Sequence, residues 1–216
     1  MKLPDAIKNL ADHLSELPSI GPRQATRLAF YLVSRGANEI QGLSDAVAGL
    51  GQVKICSQCF FVHQNPNSLC DTCKNPARRR DIIMIVEKET DLISVENTGK
   101  FVGRYFILGP IPKTGVFEDW QKLRIQNLKA FIEKELAPST GSKNSLQASS
   151  GQGGKAEEII LGFNPTSLGD FHTSLLSKEL GTFAKKISRL GRGLPTGGEI
   201  EFADDETLGG ALEHRS

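Results

Sequence analysis

The four cysteines of this chain all fall within ICSQCFFVHQNPNSLCDTC, residues 55–73, and no other feature limits its folding so tightly. Cys56 and Cys59 form one Cys-x-x-Cys pair and Cys70 and Cys73 another, with ten residues between them. Each pair makes a tight knuckle that presents two sulfurs to one ion. Two knuckles complete a tetrahedral site with zinc–sulfur bonds of ~2.3 Å. Four thiolates leave no position for water or substrate, so zinc is expected to be structural here, clamping a module too short to own a core. His63 lies between the pairs, and because four sulfurs already suffice it is read as a surface residue. Two other readings stand beside this one: a dithiol redox pair, which needs only one motif and usually sits in a βαβ context, and free buried thiols. Disulfides are disfavoured. The segment MKLPDAIKNL lacks the layout of a secretory signal and no apolar run approaches the ~18 residues that span a bilayer, which points to the cytoplasm, where thiols stay reduced.

Upstream, Ile7, Leu10, Ala11, Leu14 and Leu17 recur at helical spacing over residues 3–17, and LPSIG breaks that helix at Pro18 and Gly21. A second helix is expected to start at Pro22, because proline lacks only an N–H that the first turn leaves unpaired. Its apolar face is Ala25, Leu28, Ala29, Leu32 and Val33. Arg23 and Arg27, four residues apart, share another face beside the turn at Gly21, where backbone N–H groups point out of the helix start. That is a phosphate cradle. It resembles a helix-hairpin-helix motif, which grips the DNA backbone through main-chain N–H groups without reading sequence. An ordinary helical hairpin with two exposed arginines has the same signature. Such motifs usually carry glycine where this chain has Ser19, so the backbone is expected to approach a phosphate less closely. The net charge of +1 is uneven: residues 1–80 hold ten Lys/Arg against six Asp/Glu, and residues 81–216 hold sixteen against nineteen. A basic N-terminal part suits phosphates, although a solvated surface of mixed charge gives the same count.

From Asp81 the pattern changes. DIIMIVE, GRYFILG and EEIILGF read as buried strands, and ETDLISVENTG, LRIQNLKAFIEKEL and GDFHTSLLSKELG as helices, which argues for an α/β fold with a mostly parallel sheet. Ligand-facing groups gather at the carboxyl ends of such strands, where Glu87 and the NPTSLGD loop fall. The layout resembles a Toprim domain, the module shared by type IA topoisomerases, bacterial primases and some nucleases. Toprim enzymes hold Mg²⁺ with a Glu after the first strand and an Asp-x-Asp after a later one. Here Leu168, Gly169 and Asp170 stand at the matching place, so Glu87 and Asp170 are the only acidic pair. No tyrosine is placed for covalent cleavage, Tyr31 lying in the hairpin and Tyr105 within a strand. Residues 138–155, PSTGSKNSLQASSGQGGK, are rich in Ser and Gly and read as a flexible surface insertion.

The closing stretch RLGRGLPTGGEIEFADDETLGGALEHR reads physically as a glycine-rich turn, a short strand EIEFA and a small final helix. As a string it resembles the end of bacterial recombination mediators of the RecR family. The order of hairpin, four-cysteine module, Toprim and tail is similar to that family throughout, with VENTG and LRIQNL in register. The resemblance implies a helix-hairpin-helix DNA-binding and assembly region at 1–53, a zinc module at 54–78, a Toprim domain at 79–190 and an assembly tail at 191–216. It implies no catalysis. Instead it implies a homo-oligomer, dimer or tetramer, that clamps DNA and works with RecO, and in many bacteria RecF, to load RecA at single-stranded gaps. Carried onto this chain, Arg23, Arg27 and Gly21 serve DNA, the four cysteines hold one zinc, and Glu87 and Asp170 form the Toprim acidic site. Asp170 and Leu168 replace family glutamates, and the loop PIPKTGVFEDW departs from the family pattern. Two alternatives from other classes remain, a Mg-dependent Toprim nuclease or topoisomerase and a zinc-stabilised protein-binding scaffold.

Overall fold

The computed structural model describes residues 2–136 and 154–213 and divides them into two compact units, the first ending at Val53 and the second beginning at Lys54. Most of the Ser/Gly-rich stretch read at 138–155 therefore lies outside the described residues.

The first unit is three helices, α1 (Asp5–Ser15), α2 (Pro22–Arg35) and α3 (Ala37–Gly49), followed by a 3-10 turn. The only buried residues of these helices are alanines, Ala11 in α1 and Ala25 and Ala29 in α2, and α1 packs against α2. Gly36, at φ 89°, turns the chain from α2 into α3, a conformation that favours glycine. α3 buries no residue at all; Ile40, Leu43 and Val47 are exposed, as are Phe30, Tyr31 and Val33 of α2. Val33, expected on the inner face, is 57% exposed, because it lies one helical step off the stripe of Ala25, Ala29 and the half-buried Leu32.

The second unit opens with the antiparallel pair β1 (Lys54–Ile55) and β2 (Val62–His63) and the single-turn helix α4 (Asp71–Lys74). Then follow β3 (Ile82–Val86), α5 (Glu89–Glu96), β4 (Arg104–Ile107), α6 (Asp119–Glu135), β5 (Ala156–Gly162), α7 (Ser167–Leu180) and β6 (Ala184–Arg189). The four long strands form one wholly parallel sheet in the order β4-β3-β5-β6. Alternation along β3 sends Ile83 and Ile85 to one face, among Ile125, Leu128 and Ile132 of α6 and Leu176 and Leu180 of α7. Met84 and Val86 go to the other, against Leu92 of α5. Covering both faces is what makes every residue of this strand apolar. Helix starts are held locally: Thr166 Oγ1 accepts from the N–H of Gly169 at 3.1 Å, and Asp91 accepts from the N–H of Lys88 at 3.0 Å.

Sequence alternation suggests a short strand at EIEFA before the last helix. Those residues instead make the 3-10 turn Ile200–Phe202, and the strand that precedes the C-terminal helix α8 (Asp205–Glu213) is β6. No helix among the described residues is long and apolar enough to cross a membrane.

Candidate functional site

The chain reverses after β1, so Cys56 and Cys59 face each other across a tight turn in which Phe60 donates to the carbonyl of Cys56 at 3.0 Å. Phe60 sits at φ 64°, a left-handed conformation unusual for a bulky residue. Cys70 caps α4 and Cys73 lies inside it, which brings the second pair over the first. The four Sγ atoms lie within 4.8 Å of one another, with Cys59 and Cys70 at 3.5 Å, and all four residues are buried. A tetrahedron with ~2.3 Å metal–sulfur bonds has edges of ~3.8 Å, so the arrangement suits one ion held by four thiolates. Protons are badly accommodated here. Hydrogen bonding from Cys59 holds the Cys56 thiol below the usual range, while the bond with Cys56 and burial push Cys59 above it. A divalent cation removes that conflict by letting every sulfur ionise.

His63, expected at the surface, is buried, because alternation in β2 turns Val62 outward and His63 in; its Nδ1 accepts from the N–H of Asn65 at 3.1 Å. Its Nε2 has no partner among the described residues.

The cysteine module is fastened to the outer edge of the sheet. The N–H of Ile107 in β4 donates to the carbonyl of Cys59 at 2.9 Å, and Arg104 reaches Gln58 Oε1 at 2.8 Å and the carbonyl of Cys73 at 3.0 Å. Phe60 packs edge-on against Phe106, their centroids 5.4 Å apart.

In the first unit, Gly21 caps α2 without a side-chain bond and Pro22 occupies its first position. Arg23 and Arg27 are both exposed on α2. The first intrahelical bond runs from Ala25 to the carbonyl of Gly21, leaving the N–H groups of Arg23 and Gln24 without acceptors among the described residues. Ser19 takes φ 67°, the left-handed turn that glycine would adopt without strain.

The two acidic positions have separate surroundings. Glu87, just past β3, accepts weakly from the N–H of Ile111 at 3.4 Å and lies 3.8 Å from Lys88 Nζ. The carboxylate of Asp170 takes Arg192 at 2.5 Å and Arg189 at 3.2 Å; Arg192 also pairs with Glu206 of α8. Asp170, with Arg189 and Arg192, lines a cleft of ≈ 420 Å³ at the carboxyl ends of β3, β5 and β6, to which Val86, Gly162 and Asn164 also contribute. This is where the strand order reverses, the usual crevice for ligands in such sheets. Glu87 does not line it. Among the described residues the four cysteines are the one group of three or more metal-ligating side chains. Tyr105 is buried and its hydroxyl donates to Glu96 at 2.9 Å; burial pushes its ionisation above the usual phenol value. The arginines of the cleft went unread in the sequence, although both lie in the RLGRG string three residues apart.

The family model described as RecR, helix-hairpin-helix, matches residues 7–49, and that described as RecR, C-terminal, matches residues 193–216. The chain is 35% identical over 212 residues to the recombination protein RecR of Gloeobacter violaceus, covering 97% of this chain and 96% of that one. It is 36% identical over 217 positions to that of Roseiflexus castenholzii, covering 99% and 94%, and 34% identical over 212 residues to that of Chloroflexus aggregans, covering 97% and 92%.

Proposed function

Because the chain belongs to the RecR family of recombination proteins, we propose that it is a non-enzymatic, DNA-binding recombination mediator. It closes as a homo-oligomeric clamp and, with RecO and in many bacteria RecF, helps load RecA at single-stranded gaps. The observation that carries this reading is similarity along nearly the whole length, covering hairpin, cysteine module, sheet and tail together. Arg23 and Arg27, with the turn at Gly21, hold DNA phosphates; their exposure and the unpaired N–H groups beside them support that role. Residues 1–53 bind DNA and assemble, 54–78 hold metal, 79–190 form the Toprim body and 191–216 join subunits.

Cys56, Cys59, Cys70 and Cys73 hold one zinc. It supplies structure, since burial of all four sulfurs leaves no approach for a substrate. Glu87 and Asp170 are the remnant of a Toprim acidic site with no turnover, a reading supported by Asp170 being held between two arginines. In that setting the carboxylate is already neutralised and offers little to a hard cation.

The test is binding of the purified protein to short duplex and single-stranded DNA across a salt series, with and without RecO, followed by incubation with Mg²⁺. Salt-sensitive capture of intact DNA is expected. Magnesium-dependent strand cleavage would select the nuclease reading, and partner binding with no DNA affinity in any condition would select the scaffold.

A further inference from the structure

The turn that carries Cys59 also carries Phe60, and what Phe60 touches lies outside the cysteine module. Its ring is one face of a stack. The Arg124 guanidinium on α6 sits 4.5 Å from the Phe60 centroid and 4.9 Å from that of Trp120, held between the two rings. Arg124 donates to the carbonyl of Ile107 at 3.0 Å, and the N–H of the same residue donates to the carbonyl of Cys59. Burial shifts Arg124 below the usual guanidinium value, so the two aromatic faces do what water does for an exposed cation.

Trp120 passes the connection on. Its ring lies directly over Gly109, where a Cβ would collide with Cη2, and its Nε1 donates to Glu118 at 2.5 Å. Gly109 donates to the carbonyl of Glu87 at 3.0 Å, and the loop from Gly109 to Glu118 runs from there to the start of α6.

Phe60 is the strained link in this chain of contacts, at φ 64°. The left-handed conformation is strained for a bulky non-glycine residue. Here it is imposed by the knuckle, through the bond from Phe60 to Cys56 and the N–H of Phe61 directed at Cys59 Sγ at 3.5 Å. Such strain persists only while its surroundings hold it, so the Phe60 ring is where a loosened knuckle would first be felt.

We propose that metal occupancy of the four cysteines sets the position of Trp120 and of the 109–118 loop beside Glu87, through the Phe60–Arg124–Trp120 stack. The module then does more than brace its own short strands. It reports its metal state to the carboxyl end of β3, some twenty-eight residues further along the chain from Cys59 to Glu87.

This rests on the metal reading of the cysteines, and the test keeps the two apart. Trp120 is the only tryptophan in the chain, so its emission reports this stack alone. Full-length protein is followed by fluorescence and acrylamide quenching while zinc is withdrawn by a chelator and restored with zinc chloride, with bound zinc measured at each step. The expected result is a red shift and stronger quenching on withdrawal, reversed on restoration. In Phe60→Leu, which keeps all four sulfurs, zinc is expected to bind at one per chain while Trp120 starts red-shifted and no longer follows the metal. Protein that holds no zinc overturns both readings. Wild-type protein that releases zinc with Trp120 unmoved, or Phe60→Leu that keeps the full response, overturns the stack alone.

Discussion

Ser19 stands at φ 67° in the turn between α1 and α2, where the helix-hairpin-helix pattern has glycine. The strain there is roughly 1–2 kcal/mol. Glycine returns only ~0.4–1 kcal/mol of it through a freer unfolded chain. Ser19→Gly is therefore expected to stabilise the first unit by about 0.5–1 kcal/mol, read as a higher denaturant midpoint; a lower one would mean that the serine hydroxyl repays the strain. Arg23 and Arg27 make no ion pair among the described residues and are exposed, so their removal tests DNA binding with little structural cost. Replacing both with Ala is expected to reduce the slope of log affinity against log salt on duplex DNA by ~0.9 for each phosphate no longer neutralised. An unchanged slope would take the hairpin off the DNA surface. These residues were legible because spacing alone places them on one helix face. His63 was not: a strand of two residues leaves no periodicity to show which way a side chain turns, and only the folded module buries it.

Among the elements, β4 depends most on a neighbour that the sequence separates from it. Cys70→Ser is expected to abolish stoichiometric zinc and to lower the unfolding midpoint, because a structural zinc contributes roughly 10–16 kcal/mol in small finger peptides. The same substitution should speed hydrogen exchange at the Ile107 amide, whose acceptor is the carbonyl of Cys59, more than at β5 amides. Full zinc content with an unchanged exchange pattern would remove the four-cysteine assignment. The β5–β6 pair is fastened differently, by Glu158 to Lys186 at 2.9 Å and to Ser188 at 2.7 Å, and by Glu157 to Lys185 at 2.7 Å. The Ser188 hydroxyl and Lys186 hold the folded Glu158 below the usual carboxylate range. Its stabilisation is thus present above the unfolded pKa and lost as pH falls through the folded one. Glu158→Gln is expected to flatten the acid side of the profile of thermal midpoint against pH, with little change near neutrality in the slope. The all-apolar strand β3 was readable from composition, as were α6 and β5, where the apolar run at residues 159–161 follows Glu157 and Glu158. β6 was not, since AKKISR carries three cations in six residues; Ala184 and Ile187 pack on the core, and Lys185 and Lys186 find carboxylates on β5.

At the scale of the molecule, large apolar side chains are left outside both units. Ile40, Leu43 and Val47 of α3 and Ile200 and Phe202 of the tail are exposed, Phe202 at 80%. Clusters of this kind mark surfaces that other chains cover. Val47→Glu and Phe202→Ser are each expected to lower the subunit number seen by native mass spectrometry without unfolding the chain; retention of the wild-type oligomer in both would place assembly elsewhere. The order of regions along the chain was legible because its cysteines and tail are strings, whereas the tail's 3-10 turn was hidden by an alternating pattern that equally suits a strand. The two borders of the parallel sheet are unlike. On the β4 side the cysteine knuckle takes up a backbone donor, and on the β6 side no strand lies beyond among the described residues. A sheet open on one side can join one partner and stop, but a sheet open on both can add copies without end. A metal ion on the four cysteines would in this sense be a stopper: protein stripped of it is expected to expose a second sticky border and to leave fibrous deposits, seen by electron microscopy, where the metal-loaded chain does not.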